Sequence, residues 1–273
     1  MAFGVAAVLQ GIATRGTTFG RRVDPGLLLR LLRRPVFLAA LALNMVGFGL
    51  HITALQSLPL FLVQAVISCS VAVTAVLSIW VFAAPLTRGQ WAAVAAVLVG
   101  LAMLAPTASS GAAVDVGLAG PAVLFAVVIV SILASAAAAH LPTLAGALAL
   151  GLLAGVSFGV VAVSARLLPD LSPLVLVRSP GAYVLVFAGL VAFLLYSTAM
   201  QRGSVTTTTA AVVVTQTAVP ALIGATVLGD RVRVGLLPLA VAGFTLSLLG
   251  ALGLARFEAN VSVDAGKGSA RMR

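Results

Sequence analysis

Apolar runs long enough to cross a bilayer dominate this chain, and short polar turns punctuate them. Counting about 20 apolar residues per crossing, the pattern predicts nine spans, at approximately 1–14, 35–56, 59–83, 90–106, 118–139, 143–165, 181–200, 204–228 and 235–256. No run shows the period-two alternation, in segments of about ten residues, that a membrane barrel needs. The first run has only fourteen residues before Arg15. Either the natural start lies upstream, or this helix is short and the bilayer thins around it. The expected fold class is all-α, a polytopic membrane protein of about nine transmembrane helices.

The pattern also returns on itself. Residues 48–88 align without a gap on residues 193–233, a shift of 145. Phe48 falls on Phe193, Leu50 on Leu195, Thr53 on Thr198, Ala54 on Ala199, Gln56 on Gln201, Ala65 on Ala210, Leu77 on Leu222 and Arg88 on Arg233. Five of these eight identities crowd into nine residues around a Thr-Ala-x-Gln turn. A fainter match sets Gly4, Val5 and Arg15 on Gly155, Val156 and Arg166. Five spans separate the twinned helices, so the copies enter the membrane from opposite sides. The expected organisation is two inverted repeats of four helices, 1–106 and 143–256, joined by a connecting loop and fifth helix at 107–142, with a polar, Gly-rich and disordered tail at 257–273. Two such halves can exchange conformations and open a central site to either side.

Composition narrows the class. The 273 residues are 62% hydrophobic and 8% charged, with a mean hydropathy of +1.21, whereas a soluble domain carries about 25% charged residues. The net charge of +10 does not point to nucleic acid, because the basic residues sit at the ends of apolar runs and report orientation. With nine spans and the N-terminus outside, Arg15, Arg21, Arg22, Arg30, Arg33, Arg34, Arg88, Arg202, Arg256, Lys267, Arg271 and Arg273 face the cytoplasm, and Arg166, Arg178, Arg231 and Arg233 face out. Twelve against four sets the N-terminus out and the C-terminus in. Asp24 and Pro25 would start a short interfacial helix over LLLRLLRR, or these arginines serve as a topology signal alone. One lysine against fifteen arginines, with heavy Ala and Val usage, fits a GC-rich bacterium and its inner membrane. The start MAFGVAAVLQ has neither the basic region nor the cleavage site of a signal peptide. The lone Cys69 excludes a disulfide framework and a thiolate metal cluster.

The run RRPVFLAALALNMVGFGLHITALQSLPLFLVQAV, followed by VFAAPLTRGQWAAVAAVLVGLAMLAP, resembles the drug/metabolite transporter superfamily of EamA-like proteins. It is most similar to the nine-helix, magnesium-transporter-like (NIPA-like) branch. Leu60 to Val66 match that family's start of the third helix, with Ala65 where proline is usual. Ala84-Pro85 and Gly229-Asp230 occupy the two positions of its Gly-Glu turn. The resemblance covers roughly 1–106 and 143–256 and implies the inverted-repeat fold and transport of a small solute.

Polar groups at mid-membrane mark candidate chemistry, because lipid cannot satisfy them. Gln64, Ser68, Thr74 and Ser78 fall in one sector of the third span, and Thr209, Gln216 and Pro220 form a stripe on the eighth. Pro220 removes a backbone bond to the Gln216 carbonyl and leaves an acceptor. For Ser68, Ser70, Thr74 and Ser78 the competing reading is close helix packing with back-bonding to their own helix. Gln64 and Gln216 are stronger cavity candidates, since a primary amide cannot satisfy itself within a helix. His51 reads as a proton relay or as an interfacial anchor. Gln10 and Asn44 carry less weight, and Thr209 belongs to a threonine run that also fits a helix cap.

All six acids, Asp24, Asp115, Asp170, Asp230, Glu258 and Asp264, fall in loops, turns or the tail. No metal site is therefore expected, and no cofactor, since a dehydrated divalent cation wants carboxylate oxygens. No Walker loop, zinc spacing or catalytic triad appears, and the chain does not read as an enzyme. The expected function is a secondary transporter moving a small polar or amphipathic solute by alternating access. The alternatives are a magnesium or other divalent-cation carrier of the same superfamily and, from another class, a non-transporting membrane scaffold or subunit. The expected partners are the lipid bilayer and the small solute; a homodimer is admitted by the sequence and not required by it.

Overall fold

The computed structural model describes residues 35–82, 86–109, 117–138, 140–168, 172–202 and 205–270, together with Ala2, Val5, Ala6, Val8 and Leu9. Among these residues eight helices are long and apolar enough to span a membrane. They are α1 (Pro35–Ser57), α2 (Leu60–Phe82), α3 (Arg88–Leu104), α4 (Ala119–Ala138), α5 (Thr143–Arg166), α7 (Pro180–Arg202), α8 (Val205–Thr226) and α9 (Leu237–Ala270). A six-residue helix, α6 (Pro173–Arg178), leads into α7. The chain is an all-α polytopic membrane protein, and these eight helices correspond to the second to ninth spans of the hydrophobic pattern. Most of the span expected at 1–14, Gln10 included, lies outside the described residues, as do the segment at 24–34 and the Ala84-Pro85 turn.

Local chemistry explains the boundaries that differ. Span four begins at Arg88 rather than 90 because Thr87 and Gln90 close a capping box: the Gln90 N–H donates to Thr87 Oγ1 (3.3 Å) and the Thr87 N–H to Gln90 Oε1 (2.7 Å). Two first-turn donors are thereby satisfied. Helix α9 runs on to Ala270, where the sequence reading expects disorder from 257. No proline follows Pro238 to stop it. A two-residue antiparallel ladder, unforeseen in the apolar pattern, joins β1 (Ala108–Ser109) to β2 (Arg231–Val232) and ties the end of α3 to the turn after α8.

Helix directions follow from which residues meet. Helix α5 sits at the centre of one group, packed against α7, α8, α4 and α1, while α2, α3 and α9 form a second group that meets the first through α8. The α5–α8 contact runs in parallel, with Gly151 against Ala211, Gly155 against Thr215 and Gly159 against Pro220. The α3–α9 contact runs antiparallel, Gly100 against Gly243 and Ala93 against Gly250. Both seams depend on the missing side chain. A Cβ at Gly155 would lie 2.7 Å from the Thr215 Cβ and 2.8 Å from the Val212 carbonyl oxygen, and one at Gly100 2.6 Å from the Gly243 carbonyl oxygen. Lipid is as apolar as leucine, so association rests on this close backbone approach rather than on apolar burial.

Gly155→Ala is therefore expected to lower stability by about 1–3 kcal/mol through overpacking. Gly49→Ala, where a Cβ meets nothing within 4 Å, should stay within about 0.5 kcal/mol. Thermal melts of the two variants in one detergent compare them directly.

Candidate functional site

One end of the bundle is assembled around Asp230, in the turn between α8 and β2. Helix α2 starts after Pro59, which offers no side-chain cap, so the Leu60 N–H is an orphan donor of a first turn. It donates instead to Asp230 Oδ2 at 2.6 Å, across 170 residues of sequence. Asp230 Oδ1 pairs with Arg166 Nη2 at 3.2 Å. Arg166, the last residue of α5, donates through Nη1 to the carbonyls of Leu55 (2.5 Å) and Leu58 (2.8 Å), at the end of α1. Anion at a helix N-terminus and cation at a helix C-terminus both follow the helix dipoles. The Asp230 side chain is 1% exposed and that of Arg166 10%. Burial pushes the Asp230 carboxyl above the usual aspartate range, against the opposing pull of the Leu60 N–H and of Arg166.

Below this end lies a cavity of about 570 Å³, within the range of small-molecule sites. Helix α1 supplies Phe48 and His51, α2 supplies Gln64, Ile67 and Ser70, α5 supplies Phe158, Val161 and Ala162, α7 supplies Leu185, Val186, Gly189 and Leu190, and α8 supplies Gln216. His51 lies six residues before the end of α1, Gln64 four after the start of α2 and Gln216 ten before the end of α8. At 1.5 Å per residue the lining spans depths of about 6–15 Å, the half of the membrane nearest Asp230. Gln64 is 6% exposed. Among the described residues, the side chains of Gln64 and Gln216 make no hydrogen bond to the protein. No described lining residue is charged.

The other residues singled out in the sequence are placed as follows. Ser68 and Thr74 donate to the carbonyls of Gln64 (3.2 Å) and Ser70 (2.9 Å), one turn back in α2, and neither lines the cavity. Ser70 does line it. Thr209 hydrogen-bonds Tyr196 at 3.0 Å, away from Gln64. Pro220 is buried against Gly159. Asn44 is half-buried and is not in the cavity wall. His51 lies between the main cavity and a smaller one of about 160 Å³ that it also lines. The sequence reading passed over the apolar wall of Phe48, Phe158 and α7, which carries no polar signal, and the Asp230–Arg166 pair, whose members are 64 residues apart. Set against protein-family models, curated proteins and solved structures, the chain matches none of them.

Asp230→Ala should cost about 3–5 kcal/mol, because it strands the buried Arg166 charge. Asp230→Asn keeps an acceptor for Leu60 and should cost less. The raised carboxyl also sets a sign. The folded protein holds this proton to higher pH than the unfolded chain, so stability falls as pH rises between the ordinary and the raised value, and Asp230→Asn removes that slope. Melting temperatures across acid to neutral pH test both statements.

Proposed function

We propose that the chain is a secondary transporter of the drug/metabolite type, binding a small polar or amphipathic solute in the cavity between α1, α2, α5, α7 and α8. The observation that carries this reading is the pair of glutamines: two amides in one cavity wall, without hydrogen bonds to described residues. Gln64 is buried and Gln216 half-buried; amides facing a largely apolar space are costly unless something hydrogen-bonds them, and a solute that does so accounts for their presence. The described wall of amides, one hydroxyl and one imidazole, without a carboxylate, suits an uncharged solute better than a dehydrated divalent cation.

The internal duplication supports the same reading. At a shift of 145 the mates of His51 and Gln64 are Tyr196 and Thr209. The first pair lines the open cavity, while the second is closed by a 3.0 Å hydrogen bond. Inverted repeats in one conformation differ in this way, with one copy open and its twin shut, and exchange of the two gives alternating access. The mate of Asp230 is Pro85, so the acid of the ion pair belongs to one half alone. In the orientation set by the arginines, with the N-terminus out and the C-terminus in the cytoplasm of a bacterial inner membrane, the Asp230 end faces outward.

A stabilisation screen of the purified protein tests this, with divalent cations, amino acids, sugars, nucleotide-sugars and polyprenyl phosphates as the panel. A true ligand at 100 times its Kd adds about 2.7 kcal/mol, and the gain is expected from one organic class and is lost in Gln64→Leu/Gln216→Leu. A shift with magnesium alone would favour the cation carrier. Silence across the panel, with a more stable double variant, would favour a scaffold.

A further inference from the structure

The cavity has an unusual boundary. At the Asp230 end Leu55, Leu60, Leu168 and Leu228 are buried in one cluster, and the Asp230–Arg166 pair knits four helix ends together. Sideways it is different. Helices α1 and α7 both lean on α5 and scarcely touch each other, leaving a slot with Phe48 and His51 on one side and Leu185, Val186, Gly189 and Leu190 on the other. Val186 and Leu190, one turn apart on α7, line the cavity and are also 60% and 61% exposed on the bilayer-facing surface. The same two side chains thus border the site and the acyl chains around it.

Resting on the transporter reading above, we propose that the solute enters this site sideways from the bilayer, through the slot between α1 and α7, and is an uncharged amphipathic molecule. Its apolar chain lies along Phe48, Val186 and Leu190, and its head is read by Gln64 and Gln216. The two amides together offer four N–H donors and two carbonyl acceptors, which matches a head bearing hydroxyl, ester or amide groups. A charged head finds no counter-charge among the described lining residues, and burying it there is strongly disfavoured. The slot lies at acyl-chain depth, about 6–15 Å below the end of the bundle, where an amphipath already in that leaflet can reach it without crossing water. Gly189 faces this space with only Val161 Cγ2, at 3.8 Å, near a Cβ built there, so a larger side chain at 189 would fill the slot without touching either amide.

The test uses the full chain in phosphatidylcholine vesicles, photolabelled with a monoacylglycerol carrying a diazirine in its acyl chain, with the labelled peptides mapped. Label is expected to concentrate on 48–51 and 185–190 and to fall about tenfold, the equivalent of about 1.4 kcal/mol, in both Gln64→Leu/Gln216→Leu and Gly189→Leu. Unlabelled monoacylglycerol should compete, and the fatty acid of the same chain should not. Melting curves of both variants confirm that they are folded. Label spread evenly over the bilayer-facing helices, or unchanged in either folded variant, overturns the proposal. If instead amino acids or sugars stabilise the wild type and not the double variant, with no label in the slot, the sideways route falls and the transporter reading stands. Neither signal from any probe sinks both.

Discussion

A carboxylate from the far half of the chain caps the second described helix, and the architecture of that end of the bundle follows from the contact. Asp230 accepts from Leu60 and pairs with Arg166, which itself holds the last carbonyls of α1. In lipid each of these backbone groups would otherwise lack a partner. One acid and one base therefore satisfy the end of α1, the start of α2 and the turn after α8 together, from the end of α5. Because Pro59 leaves α2 without a cap of its own, the two halves of the protein complete each other at this end.

The cavity follows from the way the small residues are distributed. Glycines at 151, 155 and 159 draw α8 onto α5, and Gly100, Gly243 and Gly250 draw α3 and α9 together. Between those seams α1 makes only a light contact with α5, and space remains where Phe48 and His51 face Gly189. Glutamines at that place would weaken a closed interior. In the wall of a space of about 570 Å³ they face open volume instead, with phenylalanines and aliphatic side chains supplying the apolar remainder. At the positions 145 residues further on, Tyr196 and Thr209 hydrogen-bond each other at 3.0 Å.

Much of this was legible in the chain and some was not. The eight described spans fall where the hydropathy pattern puts them, because a helix in lipid must satisfy its own backbone and needs a fixed length of apolar residues to do so. Helical periodicity put Gln64, Ser68 and Thr74 on one face without telling a cavity from a self-satisfied hydroxyl. Ser68 and Thr74 bond back one turn, as short hydroxyl side chains can, and the longer Gln64 amide reaches the cavity. The duplication pairs Thr209 with Gln64 in the sequence, but its bond to Tyr196 joins α7 to α8 and depends on how those helices pack. The α5 glycines stand in the sequence without any sign of the helix they pack against, which only the α5–α8 seam reveals.

The membrane class and the eight described helices follow from the amino-acid sequence, because lipid fixes how many apolar residues a crossing needs and makes every polar group within it costly. Tertiary structure decided which polar residues share a space, how α1 and α7 part, and that Asp230 and Arg166 meet. Those outcomes depend on packing between helices distant in the chain. Hydrophobic patterning sets each helix's length, and where apolar residues face lipid all round it says little about which side meets a neighbour.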